Sequence, residues 1–135
     1  MDVLMSIKPQ YVEKIISKEK TYEFRRSVFK RDVTNVIIYA TAPEKKIIGS
    51  FELEDIIRDT PSNLWNNFSN KAGICKKDFF DYFKGKDEGF ALKVGELNIL
   101  DDFIDVNCLD DFRAPQSYTY VDKEEFFSKI HNPNF

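Results

Sequence analysis

The five residues Val36-Ile37-Ile38-Tyr39-Ala40 are apolar in an unbroken row. A row this short, rich in β-branched side chains, suits a strand covered on both faces. Such a strand must sit inside a sheet, so its neighbours constrain the whole fold. Val3 to Ile7 reads as another strand, and Lys46 to Leu53 as a third, joined to Asn35–Thr41 across the turn Ala42-Pro43-Glu44-Lys45 as a hairpin. Thr21 to Ser27 alternates polar and apolar residues and reads as a strand with one wet face. Phe90 to Val94 and Glu96 to Val106 read as two more, the second bent near Asp101-Asp102, and Ser117 to Val121 as the last.

Helical spacing separates these runs. Pro9 fits a first helical turn, and Val12, Ile15 and Ile16 fall at i, i+3, i+4, so residues 9 to 18 form a short amphipathic helix. Pro61 opens a helix carrying Leu64, Trp65 and Phe68. Residues 76 to 84 form another, with Phe79, Phe80 and Phe83 on its stripe and Gly85 as the stop. Asp122 caps a terminal helix with Phe126, Phe127 and Ile130, and places His131 in the last turn. Strands outnumber helices and the connections are short. The set closes into a mixed or antiparallel barrel with helices over its openings, an α+β fold rather than a doubly wound sheet. One domain over residues 1–135 fits the length.

Charge is distributed unevenly. The net charge is −3, which argues against a bulk phosphate binder. Yet residues 14–31 hold seven cations and two anions, and residues 101–125 hold eight anions and two cations. A dipolar molecule can offer a basic face to a polyanion, and two inert solvated faces are the plain alternative. Cys75 and Cys108 are far apart and read as reduced thiols packed as small hydrophobes. One histidine and two distant cysteines give no zinc spacing, the acids around Asp101–Asp111 lack an EF-hand glycine, and the glycines form no phosphate loop. No metal and no cofactor is expected. The start has no basic leader, and no run approaches the ~20 apolar residues of a membrane span, so a cytoplasmic protein is expected.

The segment richest in chemistry is Lys18-Glu19-Lys20-Thr21-Tyr22-Glu23-Phe24-Arg25-Arg26. Strand parity puts Thr21, Glu23 and Arg25 on one face and Tyr22, Phe24 and Arg26 on the other, with Tyr22 and Phe24 toward the core. Glu23 and Arg25 then project together, close enough to pair. Lys20 stands at the strand's entrance, and Lys8 reaches the same region across the short helix. A carboxylate between cations can accept from the exocyclic amine of a nucleobase while the cations hold phosphate or carbonyl oxygens. The same trio could do acid–base chemistry, with a desolvated Lys20 as base and Glu23 as its partner. An exposed salt-bridge ladder is the plain alternative.

The ordered set of segments resembles the ASCH family of the PUA-like superfamily. Lys20, Glu23 and Arg25 fall on the family's Gly-x-Lys-x-x-Glu-x-Arg signature, with Lys18 in place of its glycine. Leu4-Met5-Ser6-Ile7-Lys8-Pro9, Tyr39-Ala40-Thr41, Gly49-Ser50-Phe51-Glu52, Ala72-Gly73-Ile74 and Pro115-Gln116-Ser117-Tyr118 match along the rest of the chain. The resemblance implies a PUA-like β-barrel with flanking short helices and a cleft between them. It implies RNA or a modified nucleobase or nucleoside as ligand, near translation or transcription. Some relatives are small hydrolases: one, an amidohydrolase on N4-acetylcytidine, uses a Lys, a Thr and a Glu, and others are ribonucleases. Glu23 stands three after the lysine, where that amidohydrolase has its Thr, and Thr21 differs in register. The expected ligand contacts are Lys8, Lys20, Glu23, Arg25, Arg26, Tyr39, Gln116 and Ser117, with Lys20 and Glu23 catalytic if the protein is an enzyme. Tyr39 could equally send its hydroxyl to the rim, and Gln116 and Ser117 could be turn chemistry. Trp65 could stack a base, though its apolar neighbours favour a core anchor. The remaining reading is a protein-binding adaptor using the acidic 101–125 face.

Overall fold

The strands form one six-stranded mixed sheet, curled into a half-barrel. The computed structural model describes residues 1–131, with side chains to Ile130. In chain order the elements are β1 (Asp2–Ile7), α1 (Pro9–Ile16), β2 (Tyr22–Arg25), β3 (Asn35–Ala40), β4 (Lys46–Asp59), α2 (Pro61–Phe68), α3 (Lys76–Tyr82), β5 (Gly89–Asp105), β6 (Tyr118–Val121) and α4 (Lys123–His131), with short 3₁₀ turns after α2 and β5. The sheet order is β2-β5-β4-β3-β1-β6. β3 lies inside it, as its apolar row requires. It runs parallel to β1, with Leu4 beside Ile37, and antiparallel to β4.

The two sheet faces differ in cover. Val3, Met5, Ile7, Val36, Ile38 and Phe51 fill the concave side with Val12 and Ile15 of α1. On the other side, Leu64, Phe79 and Phe83 of the helical segment pack on Phe24 and Ala91. Leu4, Ile37, Tyr39 and Ile47 meet Val106 and the apolar stripe of α4. Caps set the helix starts: Thr60 Oγ1 accepts from the Asn63 N–H, and Asp122 Oδ1 from the Glu125 N–H. Trp65 is half-buried against Phe79, with ring centroids 5.1 Å apart. It is a packing residue.

β4 runs six residues past the expected end, and the two strands expected over 90–106 are one. The long β4–β5 ribbon shifts register near Ile47/Gly49, Phe51/Leu53 and Leu53/Asp55. Each bulge resets the alternation, so the period-2 pattern breaks while the pairing continues. Gly95 is the pivot, since a Cβ there would lie 2.8 Å from the Glu52 carbonyl oxygen. Both cysteines are free thiols, but exposed rather than packed. Cys75 precedes α3 and Cys108 sits in a turn, outside the core. His131 ends α4, and its side chain lies outside the described residues.

Lys18 takes the left-handed conformation, φ +69°, that the family glycine would take. The turn lets the Lys20 N–H reach the Lys14 carbonyl at 3.0 Å. A side chain in that region costs about 1–2 kcal/mol, partly offset by the ~0.5–1 kcal/mol of extra chain entropy a glycine loses on folding. Lys18→Gly is therefore expected to raise stability by up to ~1 kcal/mol, read as a higher midpoint in thermal unfolding.

Candidate functional site

Arg25 closes the open seam of the half-barrel. β1 and β2 are not neighbours in the sheet, yet Nη2 of Arg25 donates to the Ser6 carbonyl at 2.8 Å. The same nitrogen lies 3.1 Å from Oε2 of Glu23. Oε1 of Glu23 in turn lies 3.5 Å from Nζ of Lys20. Glu23 and Arg25 share the face that strand parity predicts, and they pair.

The trio is a buried cluster, not a surface ladder. Lys20 is 2% exposed and Glu23 6%. Nζ of Lys20 donates to the Ala72 carbonyl at 2.6 Å and lies 5.3 Å from the Tyr11 ring centroid and 5.0 Å from that of Phe24. Burial pushes the Lys20 pKa down, and the Glu23 carboxylate opposes that shift. Gly73 makes the arrangement fit: a Cβ there would stand 2.6 Å from Cβ of Lys20. The Thr21 N–H donates to the Lys71 carbonyl, tying β2 to the same segment. Two cations share one anion, so the cluster carries an excess positive charge in a poorly solvated place.

These residues floor a cleft of about 650 Å³ between the ends of β1 and β2, α1 and α3. That volume lies within the ~300–1,000 Å³ of small-ligand sites. Lys8 and Gln116, both exposed, stand on its rim. Tyr11 of α1 and Tyr82 of α3 also line it, with Asp78 and Asp81. Burial and the charges of Asp78 and Glu23 raise the Tyr11 pKa, so its hydroxyl keeps its proton as a donor at neutral pH. Burial and the Glu23 charge also raise that of Tyr82, against the pull of Arg25.

The structure brings Lys8, Lys20, Glu23, Arg25 and Gln116 together, and leaves three expected contacts elsewhere. Tyr39 is buried on the far face, its ring 5.2 Å from that of Phe112. Alternation along β3 fixes that orientation: Tyr39 shares the face of Ile37, while Val36, Ile38 and Ala40 face the other way. Arg26 is exposed and does not line the cleft, because its parity is opposite to that of Arg25. Ser117 acts through its backbone: its carbonyl accepts from the Ser6 N–H at 2.9 Å, and the Pro115 carbonyl accepts from the Ser6 hydroxyl at 2.6 Å. Those bonds pin the segment that carries Gln116 to the rim.

The α3 wall was missed by sequence reasoning. Asp78, Asp81 and Tyr82 fall at i, i+3, i+4, a polar stripe beside the Phe79/Phe83 stripe, and that spacing was the available signal. The acids at Asp110 and Asp111 border a different cavity, of about 470 Å³, under α4. Among the described residues no three His, Cys, Asp or Glu side chains are grouped to hold a metal ion, and no helix is long and apolar enough to cross a membrane.

A mixed half-barrel with short helices around it is the PUA-like architecture. Residues 5–109 match the ASCH domain, and the chain belongs to that family. It is 30% identical over 131 residues to a protein of Zymomonas mobilis named an ASCH domain-containing ribonuclease, covering 92% of this chain and 86% of that one. The crystal structure of ASCH from Zymomonas mobilis superposes with a TM-score of 0.86 at 29% identity, covering 96% of this chain and 94% of the other. A further match, 31% identical over 91 residues, is to large ribosomal subunit protein uL22 of Ureaplasma parvum; it covers 67% of this chain and 29% of that protein.

Proposed function

We propose that the cleft binds RNA, with one unpaired base entering between α1 and α3. The observation that carries this reading is the buried Lys20–Glu23–Arg25 cluster on the cleft floor, with its excess of positive charge. Burying two cations with one carboxylate is unfavourable by itself, since desolvation offsets most of the pairing. An incoming carbonyl or phosphate oxygen would balance the second cation. Arg25 Nε supports this: it is the buried side-chain polar atom without a hydrogen-bond partner among the described residues, and such a group costs about 1–3 kcal/mol. Glu23 supplies the acceptor for an exocyclic amine, the Tyr11 and Tyr82 rings flank the opening, and Lys8 stands where a phosphate would leave it. Residues 1–135 would work as one unit in this role.

Thermal unfolding of the protein against nucleosides, nucleotides and short RNAs at low salt tests the proposal. A ligand at a hundred times its Kd stabilises by about 2.7 kcal/mol. The expected result is a raised midpoint with an amine-bearing base, weakened in Arg25→Ala together with a shallower salt dependence. An unchanged response in Arg25→Ala would misplace the site.

The second reading is cleavage of the bound RNA, and the ribonuclease name of the Zymomonas mobilis relative favours it. Lys20, its pKa lowered by burial, would be the base and Glu23 its orienting partner. Cleavage would then rise with pH as Lys20 loses its proton, and would vanish in Lys20→Met. A protein that binds RNA and leaves it intact would exclude this reading.

A further inference from the structure

The loop that follows β2 carries Arg26, Lys30 and Arg31, all exposed, and one acid, Asp32. It leaves the cleft at Arg25 and crosses to the edge strand β6. There its backbone is fastened: the Lys30 N–H donates to the Tyr120 hydroxyl at 3.0 Å. The Arg31 guanidinium lies 5.1 Å from the Tyr120 ring centroid. Tyr120 meets Tyr118 with centroids 5.7 Å apart, and Tyr118 meets Phe29 at 4.8 Å. A second route reaches the same place, because β6 begins next to Gln116 on the cleft rim and pairs with β1 through Tyr118–Met5 and Tyr120–Val3.

We propose that this loop and β6 form a track for the RNA strand as it leaves the cleft, so that the ligand is a single strand of several nucleotides rather than a free base. The inference rests on the RNA reading of the cleft. Exposed cations beside the cleft neutralise the phosphates of a single strand, and the rings of Phe29, Tyr118 and Tyr120, packed against the core, fasten the loop that presents them. The cations here are held rather than loose. Arg31 is laid on a ring, so less of its side-chain freedom is lost on binding, and the backbone that presents Lys30 is anchored at Tyr120. The four steps from Gln116 to Tyr120 extend about 13 Å at strand rise. A stretch of that length reaches beyond one nucleotide, so a strand rather than a free base fits it.

The test compares cytidine 5′-monophosphate with oligocytidylates of increasing length, by calorimetry, on the parent protein and on Lys30→Ala/Arg31→Ala. For the parent, affinity is expected to rise with length and then level off. In the double variant the rise should disappear and the salt slope for the longer strands should fall by about 1.4, two contacts at ~0.7 each, while monophosphate binding is retained. A length dependence that survives in the double variant overturns the track and leaves the cleft reading standing. Failure of the parent to bind either probe overturns both. An unchanged thermal midpoint in the variant confirms that its fold is intact; if it has moved, Lys30→Gln/Arg31→Gln replaces it and is judged by the same outcomes.

Discussion

Glu23→Gln is expected to remove about 3–5 kcal/mol of stability, a large share of the ~5–15 kcal/mol that holds a domain together. The exchange keeps the shape and removes the charge. Lys20 and Arg25 then face each other as buried cations with no anion between them. The loss should depend on pH, with a definite sign. Burial already lowers the folded-state pKa of Lys20, and Glu23 is the largest influence opposing that shift, so its removal lowers the pKa further. Between that value and the unfolded value near 10.5, the unfolded chain binds more protons than the folded one. Stability of the variant therefore rises with pH through that window. Chemical unfolding at a series of pH values should show the gap between parent and variant narrowing as pH rises. A gap below ~1 kcal/mol at neutral pH would mean that the cluster is solvated after all. RNA binding should also be lost where the variant is still folded, because the base-edge acceptor has become an amide.

Gly73→Ala is the second large effect, and it acts on the stem of Lys20 rather than by removing a charge. The new methyl would stand 2.6 Å from Cβ of Lys20 and 3.0 Å from Cγ, at a backbone φ of +61°. Left-handed backbone costs about 1–2 kcal/mol for a residue with a Cβ, and overpacking about 1–3 kcal/mol more. Gly85→Ala is the matched control: it also has a positive φ, +81°, but nothing lies within 4 Å of its Cβ. Thermal unfolding should show a loss of roughly 2–5 kcal/mol for Gly73→Ala and no more than ~2 kcal/mol for Gly85→Ala. Equal losses at both would mean that backbone conformation alone matters and that Gly73 does not seat Lys20. Ligand affinity should fall in the first variant only.

The parts of this site that were legible in the sequence are those fixed by local geometry. Parity along Tyr22–Arg25 places Glu23 and Arg25 together because a strand has a strict period of two. Lys8 reaches the cleft because only one short helix separates β1 from β2. What parity could not supply was depth. Lys20 precedes the strand, and its burial depends on Ala72 and Gly73, about fifty residues onward and tied in by long-range contacts. Tyr39 follows the parity of its own strand, on the face of Ile37 and against Phe112; what that strand does not say is that the cleft lies on the other side. The merging of two expected strands into β5 has the same origin, since Gly95 reads as a break when it is a point of close approach. Asp78, Asp81 and Tyr82 were visible as a stripe, but nothing local says that a polar helix face lines a cleft rather than meeting water.

The central claim is that RNA enters the cleft between α1 and α3. The direct test is a backbone amide NMR titration of the protein with a short single-stranded RNA at low salt. The resonances expected to move are those of Ser6, Lys8, Tyr11, Glu23, Arg25, Tyr82 and Gln116, continuing along Lys30, Arg31 and Tyr120. Shifts confined to residues 101–113 and α4, or a spectrum unchanged at saturating RNA, would contradict it.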